Sequence, residues 1–230
     1  MKIGALQKTT LLDFPGRVSA IVFTQGCNFL CPYCHNPGLV MHGDDPLSMA
    51  DVLGFLAQRK RLLEGVVITG GEPTLQEELP AFCSLVKTLG YAIKLDTNGS
   101  RPDMLRRLLA MNLLDYVAMD IKADPRAYPK SIAPGRLGDA LLQSLSLLRE
   151  HEVAHEFRIP CVAPFISPAS LPGIAEVLGK DGAPVFLQEV RTENVLEPDF
   201  FTGKGRALER GEIEELKDWM DSRGYSCTIR

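Results

Sequence analysis

The 230-residue sequence predicts an α/β fold, a partial (β/α)6 TIM-like barrel with parallel strands in a single domain. Three observations point there. From Val18 onward, short β-branched runs alternate with helical patterns of ten to fifteen residues. The strands read as near-continuous apolar runs, as strands buried on both faces do. No Gly-x-Gly-x-x-Gly follows a strand, and Gly203-Lys-Gly205 lies in a polar loop without a third glycine, which disfavours a dinucleotide-binding doubly wound sheet.

Residues 1–17 form an N-terminal extension, 18–200 the βα core and 201–230 a C-terminal helix and tail. The first strand, Val18–Thr24, precedes a helix at Met49–Leu62 that opens on the capping signal Ser48-Met-Ala-Asp51. A second strand at Val66–Thr69 leads to a helix at Gln76–Leu89, stopped by Gly90. Then come strand Ala92–Asp96 with helix Pro102–Met111, and strand Tyr116–Asp120 with helix Leu137–Glu150. Between that last pair, Asp124 to Arg136 carries Pro125, Pro129 and Pro134 and reads as a long, functional loop. Strands Glu156–Val162 and Val185–Glu189 and helices Ala169–Leu178 and Glu209–Ser222 complete the series. In the extension, Phe14-Pro15-Gly16 reads as a type II turn that either closes the bottom or edge of the barrel or forms a partner-facing lip.

Composition narrows the function classes. Hydrophobic residues at 45% and charged residues at 23% are close to globular averages and argue against disorder. A net charge of −4 with no basic stripe argues against a nucleic-acid partner. No apolar run is long enough to span a membrane, and the amino terminus turns polar at Gln7-Lys8-Thr9-Thr10, so the expected location is the cytoplasm. Six cysteines in a cytosolic chain point to metal or redox chemistry rather than disulfides. Cys83, Cys161 and Cys227 lie apart in apolar surroundings and read as buried, inert thiols.

The carboxyl ends of the strands carry the unusual residues. In order they deliver Cys27, Cys31 and Cys34; Gly70, Gly71 and Glu72; Asp96 and Thr97; Asp120 and Lys122; Arg158; and Gln188. In parallel α/β architectures the site is built at that rim. Each motif alone could be turn chemistry, but six consecutive strands contributing to one end favours a site.

Three thiols within eight residues, "CNFLCPYC", raise the question of what binds three. A structural zinc wants four ligands, and His35 directly follows Cys34, a spacing at which both side chains rarely reach one ion. Cys31-Pro-Tyr-Cys34-His35 also matches the haem-attachment pattern, and a thioredoxin-like pair is a further reading, but both leave Cys27 surplus. A cubane iron–sulfur cluster normally takes one thiolate per iron, so three thiolates leave one iron open for a substrate or cofactor.

The C-x3-C-x2-C spacing with Tyr33 before its last cysteine resembles the signature of the radical S-adenosylmethionine (SAM) enzymes, and "GGEP" at Gly70–Pro73 resembles their second motif. With "TLLDFPG", "ITGGEPTLQ", "LDTNG" and "MDIKA", the chain is similar to the glycyl-radical-enzyme activases, and among them to activators of anaerobic ribonucleotide reductase. The resemblance implies one [4Fe-4S] cluster on Cys27, Cys31 and Cys34, with SAM on the fourth iron. It implies that Gly70 and Gly71 let the backbone approach the methionyl group, that Glu72 pairs with its ammonium or braces the loop, and that the Tyr33 backbone borders the adenine. Asp96, Thr97 and Asp120 would cluster near the methionyl carboxylate, where carboxylates facing a carboxylate call for a monovalent cation. Lys122 and Arg158 would hold the carboxylate or ribose, and Gln188 would reach the same cofactor. The implied partners are a glycyl-radical enzyme and a flavodoxin- or ferredoxin-type electron donor. The alternatives are a radical SAM enzyme acting on a small molecule, such as a 7-carboxy-7-deazaguanine synthase, and a non-catalytic zinc module.

Overall fold

A computed structural model describes residues 1–41, 46–133, 135 and 137–230. Of the long proline-bearing loop, Pro134 and Arg136 lie outside the described residues. The chain divides into two compact units, one of residues 1–28, 38–97 and 101–117, the other of residues 29–37, 98–100 and 118–230.

The first unit opens with a strand that the sequence reading leaves inside the N-terminal extension. This β1, Ile3–Thr10, runs antiparallel to β2, Ser19–Thr24, with Leu6 opposite Val22 and Thr10 opposite Ser19. It is an edge strand with Gln7, Lys8 and Thr9 exposed, so it lacks the apolar run that marks the buried strands. Helix α1, Met49–Gln58, is capped by Ser48, whose side chain accepts from Ala50 N at 3.2 Å. It ends four residues before the expected Leu62, which is exposed. Next come β3, Gly65–Gly70; α2, Leu79–Thr88; β4, Ala92–Thr97; and α3, Pro102–Ala110. The helix expected from Gln76 begins instead at Leu79, with Pro80 in its first turn, where the missing N–H costs nothing. β2 pairs in parallel with β3, and β3 with β4.

One face of this sheet is filled from its amino end. Phe14, Ile21 and Val67 form a buried cluster joined by Phe23, Ala92 and Tyr116. Phe14 reaches it through a turn in which Arg17 N donates to Phe14 O at 3.1 Å and Gly16 takes φ +71°. Thr10 beside this turn pairs with Ser19 at the start of β2, the end opposite the cysteines. The "TLLDFPG" segment therefore closes the lower edge of this unit, while Leu11 and Leu12 on its outer side are exposed.

The strand β5, Tyr116–Asp120, runs from the first unit into the second. The second unit continues with α4, Gly138–Glu150; β6, Ala154–Pro160; α5, Leu171–Leu178; β7, Pro184–Gln188; and α6, Arg210–Asp221. The tail beyond α6 is not irregular but forms β8, Ser226–Ile229, pairing in parallel with β7 as β6 does on its other side. The strand expected through Val162 stops at Pro160; Val162–Ala163 then pairs antiparallel with Arg206–Ala207. The alternation of strand and helix and the parallel pairing are those of the expected α/β fold, consistent with a partial TIM-like barrel. Among the described residues, no helix is long and apolar enough to cross a membrane.

Candidate active site

In the first unit, the loop after β3 is built against the root of the cysteine segment. Gly71 N donates to Thr24 O and Glu72 N to Gly26 O, both at 2.8 Å. Gly70 takes φ +111°, and a Cβ there would lie 2.5 Å from Thr24 N; one on Gly71 would lie 2.1 Å from Gly26 O. Both glycines are thus required by the approach of two backbones, whatever ligand they also admit.

Glu72 is almost fully buried, at 1% exposure. Its Oε1 accepts from Thr74 N at 3.0 Å, from the Thr74 hydroxyl at 2.5 Å and from the Thr97 hydroxyl at 2.7 Å. These three donors, one amide and two hydroxyls, hold the carboxylate in place. Gln76 Nε2 donates to Gln25 O at 2.8 Å and Gln76 Oε1 accepts from Lys2 N at 2.9 Å, which ties the next turn to the same root. Thr97, expected beside Asp96, turns its hydroxyl to Glu72, because successive strand residues point to opposite faces.

Asp96 lies on the other parity, with Lys94 and Ala92. Its Oδ1 is paired with the Lys94 ammonium. The Lys94 side chain is fully buried, whereas Asp96 retains 13% exposure. The ammonium also sits 5.9 Å from the Tyr116 ring centroid, a cation–π geometry. The sequence reading gave Lys94 no role, although a lysine two residues before an aspartate in a buried strand must share its face.

In the second unit, the remainder of the cysteine loop is fastened by backbone hydrogen bonds. Leu30 N donates to Ile132 O at 2.7 Å, Leu196 N to Cys34 O at 3.0 Å and Glu197 N to Pro32 O at 2.9 Å. Cys34 N closes a turn onto Cys31 O at 3.0 Å. The long loop after β5 supplies Tyr128, a half-buried residue not anticipated from the sequence. Its ring packs 5.5 Å from Phe29, and its hydroxyl accepts from Lys122 N at 3.1 Å. Lys122 Nζ pairs with Asp120 at 2.8 Å. Burial alone would lower the Lys122 ammonium, but Asp120 and the nearby Cys31 and tyrosines hold it well above the ordinary lysine range.

Tyr33 is buried against Phe165, centroids 6.0 Å apart, and burial raises its phenol well above the usual value. Its hydroxyl has no hydrogen-bond partner among the described residues. Arg158 Nε donates to the buried Glu156 at 2.7 Å, and its carbonyl accepts from Ile121 N at 2.7 Å. Gln188 is half-buried at the end of β7, and its carbonyl accepts from Cys161 N at 2.9 Å. Cys83, Cys161 and Cys227 are buried, and burial pushes their thiols up to about 12, 12 and 11.

Cys27 lies in the first unit and Cys31 and Cys34 in the second. Among the described residues, no three His, Cys, Asp or Glu side chains are grouped as a metal site. By donor chemistry, three soft sulfur ligands within eight residues suit an iron–sulfur cluster.

The family profile of the Radical SAM superfamily matches residues 21–163, and the chain belongs to that superfamily. Its enzymes hold a [4Fe-4S] cluster and SAM. Over 206 residues the chain is 27% identical to a protein of Methanocaldococcus jannaschii provisionally named a glycyl-radical enzyme activating enzyme, covering 86% of this chain and 83% of that one. It is 33% identical over 144 residues to a pyruvate formate-lyase-activating enzyme of Clostridium pasteurianum, covering 60% of this chain and 59% of the relative. Among solved structures, SuiB of Streptococcus suis bound to its precursor peptide SuiA aligns with a TM-score of 0.68 at 15% identity. That alignment covers 91% of this chain and 48% of SuiB, and shows the fold.

Proposed function

We propose that this radical SAM protein is a glycyl-radical-enzyme activase, working in the cytoplasm on an anaerobic ribonucleotide reductase with electrons from a flavodoxin- or ferredoxin-type donor. The observation that carries the reading is the locking of the Gly70-Gly71-Glu72 loop onto Thr24 and Gly26, which joins the two motifs of the superfamily in one backbone structure. The activase subtype rests on the similarity to the M. jannaschii protein along most of both chains.

When bound, the cluster and SAM supply one-electron chemistry that ends in hydrogen abstraction. The residues of this chain hold and aim them. Cys27, Cys31 and Cys34 would hold the cluster. Gly70 and Gly71 would carry the backbone past the methionyl group, and Glu72 would pair with its ammonium or brace the loop. The Tyr33 backbone borders the adenine; Asp96, Thr97, Asp120, Lys122, Arg158 and Gln188 line the carboxylate and ribose. The hydrogen removed comes from a backbone glycine of the partner.

The test is anaerobic. The chain is reconstituted with iron and sulfide, reduced with dithionite and given SAM with a glycine-containing peptide from the partner. Expected are 5′-deoxyadenosine and a glycyl-radical signal, both lost in Cys31→Ala and kept in Cys83→Ala. Equal loss of iron in the two variants would overturn the ligand assignment. No product from cluster-loaded protein with peptide present would overturn the activase reading, and turnover of a purified pterin would replace it with the small-molecule alternative.

A further inference from the structure

The resemblance brings with it a monovalent cation beside Asp96, between that carboxylate and the carboxylate of the bound methionyl group. The first unit fills that role differently. Lys94 rises from two residues deeper on the same face of β4, and its ammonium is already against Asp96 Oδ1. The lysine side chain has no exposure at all, and below it lie the Tyr116 ring and then Phe14, 6.2 Å from Tyr116. The ammonium is therefore closed to bulk ions, while Asp96 retains a little exposure.

We propose that Lys94 is a resident cation: its buried ammonium neutralises Asp96, so that this carboxylate does not repel the carboxylate of an amino-acid-type ligand and no monovalent metal ion is needed there. A bare Asp96 would repel that carboxylate, and a metal ion would have to be recruited with each ligand. A lysine tethered within the strand supplies the same charge without recruitment, since its ordering is settled when the protein folds. The inference rests on the SAM-binding reading given above, and it makes Lys94 a positioning residue, acting on the ligand together with Asp96.

The experiment measures SAM binding rather than turnover. Cluster-loaded full chain is examined by anaerobic equilibrium dialysis in sodium, potassium or tetramethylammonium chloride at equal ionic strength. Wild-type affinity is expected to agree within about twofold across the three salts. Lys94→Met, checked for cluster content and thermal unfolding, should bind at least about tenfold more weakly in tetramethylammonium and recover in potassium or sodium. A merely structural lysine would show no such ion-selective rescue. Wild-type binding that collapses in tetramethylammonium would overturn the inference alone and needs no variant that folds. Lys94→Met binding like wild type in every salt would do the same. Wild type that binds no SAM in any salt would instead overturn the reading on which the inference rests.

Discussion

The loop after β3 and the end of β4 each place a carboxylate at the carboxyl edge of the first unit, and they treat it in opposite ways. Glu72 is buried, and its Oε1 accepts from one amide and two hydroxyls. Asp96 is half-buried and answered by a full ammonium from its own strand. Removing a charge from water is costly in either case, but the compensation decides what remains for a ligand. A carboxylate solvated by hydroxyls still attracts a cation, whereas one paired with lysine does not repel an anion.

That contrast can be broken most severely from the backbone. Gly71→Ala should cost about 4 kcal/mol or prevent folding, because its Cβ would meet the Gly26 carbonyl rather than a movable side chain. The loop would lift from Thr24 and Gly26, to be read as a lowered chemical-denaturation midpoint and lost iron loading. A variant of wild-type stability would show that the two backbones are not so tightly engaged.

Lys94→Met should cost about 3–5 kcal/mol by stranding Asp96. Adding Asp96→Asn should recover most of it, and a double-mutant cycle at neutral pH measures the coupling. Additive losses would mean that the pair does not act as one unit. Thr97→Val removes one donor to Glu72 and should cost about 1–2 kcal/mol, since Thr74 still contributes two. A smaller loss for Lys94→Met than for Thr97→Val would invert the comparison.

Much of this architecture was legible from residue type. The parallel strands announced themselves as apolar runs, and β5 coincides with its expected bounds at Tyr116–Asp120. β1 and β8 were not legible, because an edge strand such as Gln7-Lys8-Thr9 and a short one such as Ser226–Ile229 carry little apolar signal. The helix start at Leu79 was written in Pro80, a residue confined to a first turn. In the site, Glu72 was expected to pair with an ammonium or brace the loop, and its hydrogen bond from Thr97 was not anticipated. The twofold alternation of a strand, applied to Lys94 and Asp96, would have revealed that pair. Tyr128 could not be read in advance, since a tyrosine in a proline-rich loop gives no hint that its hydroxyl will meet the amide of Lys122.

The short backbone contacts of Gly70, Gly71 and Glu72 with Thr24 and Gly26 also constrain how such proteins diversify. Two segments some forty-five positions apart in sequence are a single heritable part, because neither can change its backbone path without the other. Anyone transplanting the cysteine segment into a new scaffold would have to carry residues 24–26 and 70–72 as one cassette.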